Sequence, residues 1–258
     1  ITGLIKESYL GLIMASTYTF NFAPMTNMTP ELGHVWSLSV EEQYYFLWPL
    51  VLLMFKDYKN VLYLSGVIIV LCILFRLNLG HIPFIDTESI SINGYDIIIG
   101  NYFNPRRWFI PAIAPILIGS SFAVLSHYQY SSVKKIFYNR SLVVLISLIL
   151  FLSPLFMPLT IRALYYTIQA FGIGALLTWI TFNQERKIYN ILEYPFLRYI
   201  GRISYGIYVY HGIFIRTGPG GNLWIQQPII NVILTFLTAI ISYELLEKHV
   251  LKYKETFK

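Results

Sequence analysis

Eight apolar runs, each close to the roughly 20 residues that a helix needs to cross a bilayer, constrain this 258-residue chain more than any other feature. They fall at about 9–24, 36–55, 61–79, 108–126, 141–158, 162–182, 196–215 and 228–246, with few intervals long enough to hold a soluble domain. Charged residues make up 12% of the chain, against about a quarter in soluble domains, and the mean hydropathy is +0.57. Backbone in hydrocarbon must satisfy its own hydrogen bonds, and a helix does so within one segment. The expected fold is all-α, a polytopic membrane helix bundle of about eight transmembrane helices forming one membrane-embedded domain over 1–258.

The net charge of +6 invites a nucleic-acid reading, which its distribution argues against. With a cytoplasmic N-terminus, thirteen of the nineteen Lys and Arg fall on inner segments, Lys56, Lys59, Lys134, Lys135, Arg186 and Lys187 among them. Four, Arg106, Arg107, Arg162 and Arg216, fall on outer ones. That asymmetry is the positive-inside pattern, which places both ends in the cytoplasm and makes membrane lipid, not nucleic acid, the expected surroundings. The single cysteine, Cys72 in "VIIVLCILF", reads as a small apolar filler, and the five histidines show no zinc spacing. No metal is therefore expected. The opening Ile1 and Lys6–Glu7 lack the layout of a signal peptide, and a further segment is expected upstream.

The longest polar interval, 80–107, is expected to be an extracytoplasmic loop. Within it "SISINGYDIII" sets Asn93-Gly94 between two β-prone runs, the signal for a tight hairpin.

The chemistry concentrates in two apolar stretches. "HVWSLSVEEQYYFLWPL", residues 34 to 50, carries Glu41, Glu42 and Gln43 in an aromatic run. An ionised side chain at a helix centre costs from about 2.5 kcal/mol upward, so something must offset it. Ser37, Glu41, Tyr44 and Trp48 recur at helical spacing and share one face. Glu41 is thus a candidate catalytic carboxylate, with Ser37 and Glu42 as substrate contacts. The plainer alternative is that a glutamate here ties two helices together or lies near the outer interface. "GRISYGIYVYHGIFIR", residues 201 to 216, aligns Ser204, Tyr208 and His211 on one stripe. Tyr208 and His211 are candidate catalytic groups and Ser204 a substrate contact, although a lone membrane histidine is as often a packing residue. Glu244 and Glu247 in "SYELLEKHVLKYKE" are expected near the cytoplasmic surface, paired with Arg202 or lysines. "GPGG" at 218–221 lacks the Lys-Ser/Thr of a phosphate loop, and "GIG" at 172–174 reads as small residues for close helix packing.

"HVWSLSVEEQYYFLWP", "IGRISYGIYVYH" and "ISYELLEKHVLKYK", in this order, resemble the acyltransferase family 3 membrane proteins, bacterial O-acyltransferases of surface polysaccharide and peptidoglycan. The resemblance implies transfer of an acyl group, usually acetyl, from a cytoplasmic donor such as acetyl-CoA to a hydroxyl of an exported glycan. The acceptor is then a surface polysaccharide, a lipid-linked glycan or peptidoglycan, in the bacterial inner membrane, with acyl-CoA as donor and no permanently bound cofactor. Glu41 matches the glutamate of the family's "WSLxxE". Arg106 or Arg107 resembles its arginine before a small-residue helix, although "PAIAP" replaces the usual polar residue. The family's first helices, which bear an arginine and a histidine taken as the base, have no counterpart here, so the chain is expected to start near the family's third or fourth helix. Two other readings fit the same buried polar residues. One is a transporter or flippase, which the proline pairs Pro111/Pro115 and Pro154/Pro158 would suit as helix breaks. The other is an inactive remnant that binds a partner enzyme.

Overall fold

The computed structural model describes residues 9–23, 32–78, 89–92, 95–98, 105–156, 164–185, 187–216 and 228–255. The described chain is predominantly helical, and each of the eight apolar runs is helical over at least part of its length. Among the described residues two helices, Tyr58–Leu77 and Pro228–Tyr253, are long and apolar enough to cross a bilayer. The chain divides into two compact units, residues 16–26 and 36–186 in one, and 1–15, 27–35 and 187–258 in the other.

In the larger unit, α2 (Val35–Met54) and α3 (Tyr58–Asn78) precede a two-stranded antiparallel sheet. Its strands β1 (Ser89–Ile92) and β2 (Tyr95–Ile98) pair Ile92 with Tyr95, and the intervening Asn93-Gly94 lies outside the described residues. There follow α4 (Phe109–Ala112), α5 (Ala114–Tyr128), α6 (Tyr130–Phe137), α7 (Ser141–Phe151) and α8 (Tyr165–Phe182). Helix α3 starts where Asp57 accepts the Lys59 backbone N–H at 3.0 Å, a capping contact that satisfies one of the four orphan donors of a helix start.

α3 packs on α5, α5 on α8 and α8 on α7. The contacts are close because glycines sit at them. A Cβ on Gly172 would lie 2.7 Å from the Ser147 carbonyl oxygen, and one on Gly174 would lie 2.5 Å from the Phe122 ring. The "GIG" of α8 therefore meets α7 with one glycine and α5 with the other. Asn183, fully buried just past α8, accepts the Asn139 N–H and donates to the carbonyls of Phe137 and Trp179. These bonds hold the α6–α7 turn, where Asn139 takes a left-handed φ of 54°. The core gathers Tyr44, Cys72, Ile113, Ala114 and Leu117, with Trp48, Ile68 and Phe109 packed around it.

The break between α4 and α5 has a chemical cause. In a continuous helix the Pro111 carbonyl would bond to the N–H of residue 115, and Pro115 has none. Helix α3 supplies substitutes from one face: the Cys72 thiol donates to the Ile110 carbonyl, and Arg76 Nε donates to the Pro111 carbonyl at 2.5 Å. The expected apolar filler at position 72 is buried as such, and it also serves as a donor.

The smaller unit contains α1 (Tyr9–Ser16) up to Ala15, the turn Leu32–His34, α9 (Lys187–Leu192), α10 (Pro195–Arg216), α11 (Pro228–Ser242) and α12 (Lys248–Glu255). Helices α10 and α11 pack closely at Gly206, where a Cβ would lie 3.2 Å from Ala239. A π-turn, Tyr243–Glu247, joins α11 to α12. It presents Glu244 to Lys248 at 2.7 Å and to the Tyr199 hydroxyl at 3.3 Å. Among the expected partners of Glu244, a lysine is the one in contact.

Candidate functional site

In the larger unit the charged stretch of α2 divides its labour by face. Gln43 exchanges amide hydrogen bonds with buried Asn21, at 3.0 and 3.3 Å, and donates to the Tyr18 carbonyl at 2.7 Å. Ser39 Oγ accepts the Phe20 N–H at 3.2 Å. These four contacts seat the short 3-10 turn Phe20–Phe22 on α2 and account for Gln43 structurally. Tyr44 stacks on Trp48, with ring centroids 5.2 Å apart, and its hydroxyl meets Ser120 Oγ at 2.5 Å. The aromatic half of the expected polar face is thus core. Ser37, Glu41 and Glu42 are all partly buried. Among the described residues of this unit the Glu41 carboxylate has no ion pair.

The two candidate arginines sit on the 3-10 turn Pro105–Arg107, which leads into α4. Arg107 lies over the Trp36 ring at 5.8 Å, a cation–π contact that ties this turn to the "WSL" motif. Arg106 is the more exposed of the pair. Arg76, which was not among the sequence candidates, lies over the Tyr166 ring at 5.5 Å.

In the smaller unit, α10 brings Tyr208 and His211 together, with ring centroids 5.2 Å apart. It does so around a residue that sequence reasoning passed over, His34. The His34 ring is 4.7 Å from His211 and 5.6 Å from Tyr208, edge-on to both. His34 Nε2 bonds to the Val209 carbonyl at 3.0 Å, and the Tyr208 hydroxyl donates to the His34 carbonyl at 3.1 Å. Gly212 makes room, since a Cβ there would overlap the imidazole. Ser204 does not join this group by hydrogen bond; its hydroxyl donates to the Gly201 carbonyl of its own helix at 2.8 Å.

The carbonyl partners set the tautomers. A carbonyl oxygen accepts only, so the ring nitrogen facing it carries the proton. His34 Nε2 faces Val209 and His211 Nδ1 faces the Tyr208 carbonyl. In the neutral rings the basic lone pairs are therefore assigned to Nδ1 of His34 and Nε2 of His211. A histidine oriented in this way by a backbone carbonyl, beside a phenol, is equipped to take a proton from a hydroxyl. The signal for His34 was present as the first letter of "HVWSLS", but only the fold shows that it meets a helix 174 positions later. Among the described residues no group of three or more His, Cys, Asp or Glu is placed to hold a metal ion.

The described chain is an apolar helical protein that gathers His34, Tyr208 and His211 in one unit and holds partly buried Glu41, Glu42 and Arg107 in the other. The family follows from comparison: residues 3–246 match acyltransferase family 3, an acyltransferase domain, and the chain belongs to that family. It is 27% identical over 234 residues to the peptidoglycan O-acetyltransferase OatA of Listeria monocytogenes, covering 86% of this chain and 35% of OatA. It is 25% identical over 232 residues to the putative peptidoglycan O-acetyltransferase YrhL of Bacillus subtilis, covering 84% of this chain and 34% of YrhL. The chain thus spans about a third of the length of these curated relatives. No solved structure matches it.

Proposed function

We propose that the chain is the membrane-embedded part of an O-acyltransferase that moves an acetyl group from acetyl-CoA, on the cytoplasmic side, to a hydroxyl of an exported glycan, peptidoglycan first among the candidates. The observation that carries the reading is the family match over 3–246, and the names of the two relatives point to acetyl and to peptidoglycan. In this reading the eight apolar runs span the bacterial inner membrane, with both ends of the chain in the cytoplasm. The many large apolar side chains left uncovered on the helices, Leu53, Tyr63, Leu142 and Leu245 among them, then face lipid.

The chemistry assigned to the residues is a single displacement. The acceptor hydroxyl gives its proton to His211 Nε2 while its oxygen attacks the thioester carbonyl carbon. The C–O bond forms, the carbonyl oxygen becomes an oxyanion, and the C–S bond then breaks to expel the coenzyme A thiolate, which takes up the proton. Such general-base help is typically worth 10² to 10⁴-fold. Within the smaller unit, Tyr208 and His34 hold the base in line. Within the larger unit by itself, Ser37, Glu41 and Glu42 are assigned to substrate and Arg107, on the Trp36 ring, to an anionic group of the donor.

The test is transfer in proteoliposomes from acetyl-labelled coenzyme A to a peptidoglycan fragment. The expected result is base-labile label on the glycan, reduced about 100-fold in His211→Ala and Glu41→Gln. Label that crosses the membrane without forming an ester would replace this reading with transport.

A further inference from the structure

Three stretches of the larger unit, far apart in sequence, meet at one corner. The Tyr58 ring at the start of α3 stacks on Tyr128 at the end of α5, with centroids 4.9 Å apart, and Gln129 Nε2 donates to the Tyr58 hydroxyl at 2.5 Å. Helix α6 lies against the end of α8, where Tyr130 meets the Phe182 ring at 5.1 Å and Asn183 bonds back to Asn139. The corner carries five exposed cations, Lys56, Lys59, Lys134, Lys135 and Arg140, against two carboxylates, Asp57 and Glu185. Among the described residues of this unit none of the five forms an ion pair, and Asp57 is occupied in capping α3. Lys134 lies over the Tyr130 and Tyr138 rings at 5.7 and 5.3 Å, contacts that hold its ammonium in place without neutralising it.

Cations gathered in this way repel one another, and anions relieve the repulsion. The flanks of the corner indicate which anions. Exposed apolar side chains begin directly beside the charges: Tyr63 one turn after Lys59, and Leu142 two residues after Arg140. Val70 and Leu145 continue the same uncovered faces along α3 and α7. Cations and tyrosines at the end of an uncovered apolar face match a membrane–water boundary, where lysine stems lie along hydrocarbon and the ammonium reaches the headgroups. A nucleotide asks instead for rings that cover its base, and here Tyr58 faces Tyr128 and Tyr130 faces Phe182. Lysine is also a flexible point charge, which suits a fluid array of phosphates better than one fixed group. In the orientation proposed above, the corner lies on the cytoplasmic side, against the leaflet surface that carries negative potential.

We propose that this corner is a docking surface for anionic phospholipid headgroups of the inner leaflet, with Lys56, Lys59, Lys134, Lys135 and Arg140 on their phosphates. The choice of leaflet rests on the orientation proposed above; the choice of an anionic headgroup does not.

The experiment counts the lipid retained by the full chain in mixed micelles of detergent with phosphatidylglycerol and phosphatidylcholine of matched acyl chains. Micelles have no sides, so the outcome is independent of orientation. The wild type is expected to prefer phosphatidylglycerol by at least about 25-fold, the effect of two lysines at about fivefold each. Lys134→Gln combined with Lys135→Gln should remove that factor, and Lys56→Gln with Lys59→Gln serves if the first pair does not fold. Tyr58→Leu keeps every charge but breaks the stack on Tyr128 and the bond from Gln129, and should lower the preference severalfold. Lys252→Gln, on α12 of the smaller unit, removes one charge elsewhere and should leave it unchanged. Equal retention of the two lipids by the wild type overturns the proposal. So does a preference that survives both lysine pairs, that Tyr58→Leu leaves untouched, or that falls as far in Lys252→Gln as in Lys134→Gln. Coenzyme A that displaces the anionic lipid would make the corner a nucleotide site and overturn the proposal as well. Acetyl transfer is measured apart, and its failure counts against the acyltransferase reading alone.

Discussion

Gly212→Ala is the substitution that most directly probes the His34–Tyr208–His211 group. A Cβ at 212 would overlap the His34 imidazole, so the ring must leave its seat, giving up the 3.0 Å bond to the Val209 carbonyl and the edge contact with His211. The hydrogen bond is worth about 1 kcal/mol and the ring contact about 0.5–1.5 kcal/mol. Alanine returns about 0.5–1 kcal/mol through helix propensity. The net loss is about 1 kcal/mol, a fall of roughly 2–4 °C in thermal midpoint for a chain of this size. Acetyl transfer should fall much further, about 100-fold, because His211 loses the neighbour that holds it in line. Gly201→Ala on the same helix is the control, since nothing lies within 4 Å of a Cβ there; it should leave midpoint and rate at or above wild type. Differential scanning fluorimetry in detergent and the labelled-acetyl assay read the two effects side by side. If Gly212→Ala transfers acetyl as fast as Gly201→Ala, then His34 has no part in positioning the base.

Three further outcomes test the packing that supports the site. Gly172→Ala should destabilise by about 1–3 kcal/mol through overpacking, because its Cβ would press on the backbone of α7 at 2.7 Å, whereas Gly119→Ala, in open space, should be neutral or stabilising in the same thermal melt. Asn183→Ala strips three hydrogen bonds from a buried site and should cost about 2–4 kcal/mol, and a midpoint like that of wild type would show that the α6–α7 turn does not depend on it. Arg76→Met leaves the Pro111 carbonyl without its donor and should cost about 1–3 kcal/mol, with Arg76→Gln recovering part of the loss in the same measurement.

The elements legible from sequence were those set by local pattern. Apolar length located the helices, and the Asn93-Gly94 pair lies between the two strands that pair as a hairpin. The i, i+3 spacing of Tyr208 and His211 sufficed to put them on one side of α10. Three features depended on contacts distant in sequence. Segment 16–26 joins the larger unit through Asn21 and Gln43, 22 positions apart. His34 meets Val209 across 175 positions. Ser204, on the right stripe by spacing, spends its hydroxyl on its own helix, an option open to any serine near a helix carbonyl and invisible to a periodicity argument.

The helix break bears on the choice between enzyme and transporter. Prolines 111 and 115 suited a transporter because unwound backbone in such proteins offers free carbonyls to a coupling ion. Here two of the carbonyls at the break already accept a donor, Ile110 from Cys72 and Pro111 from Arg76. Pro154 likewise sits within a short 3-10 turn, Ser153–Leu155, that closes α7 with a Phe156 N–H to Ser153 bond. A break sealed in this way serves to aim the segment before it, and what it aims is the turn that carries Arg106 and Arg107. The two prolines thus set a break directly after the turn that carries Arg106 and Arg107, and its bonded Ile110 and Pro111 carbonyls are not open to a coupling ion.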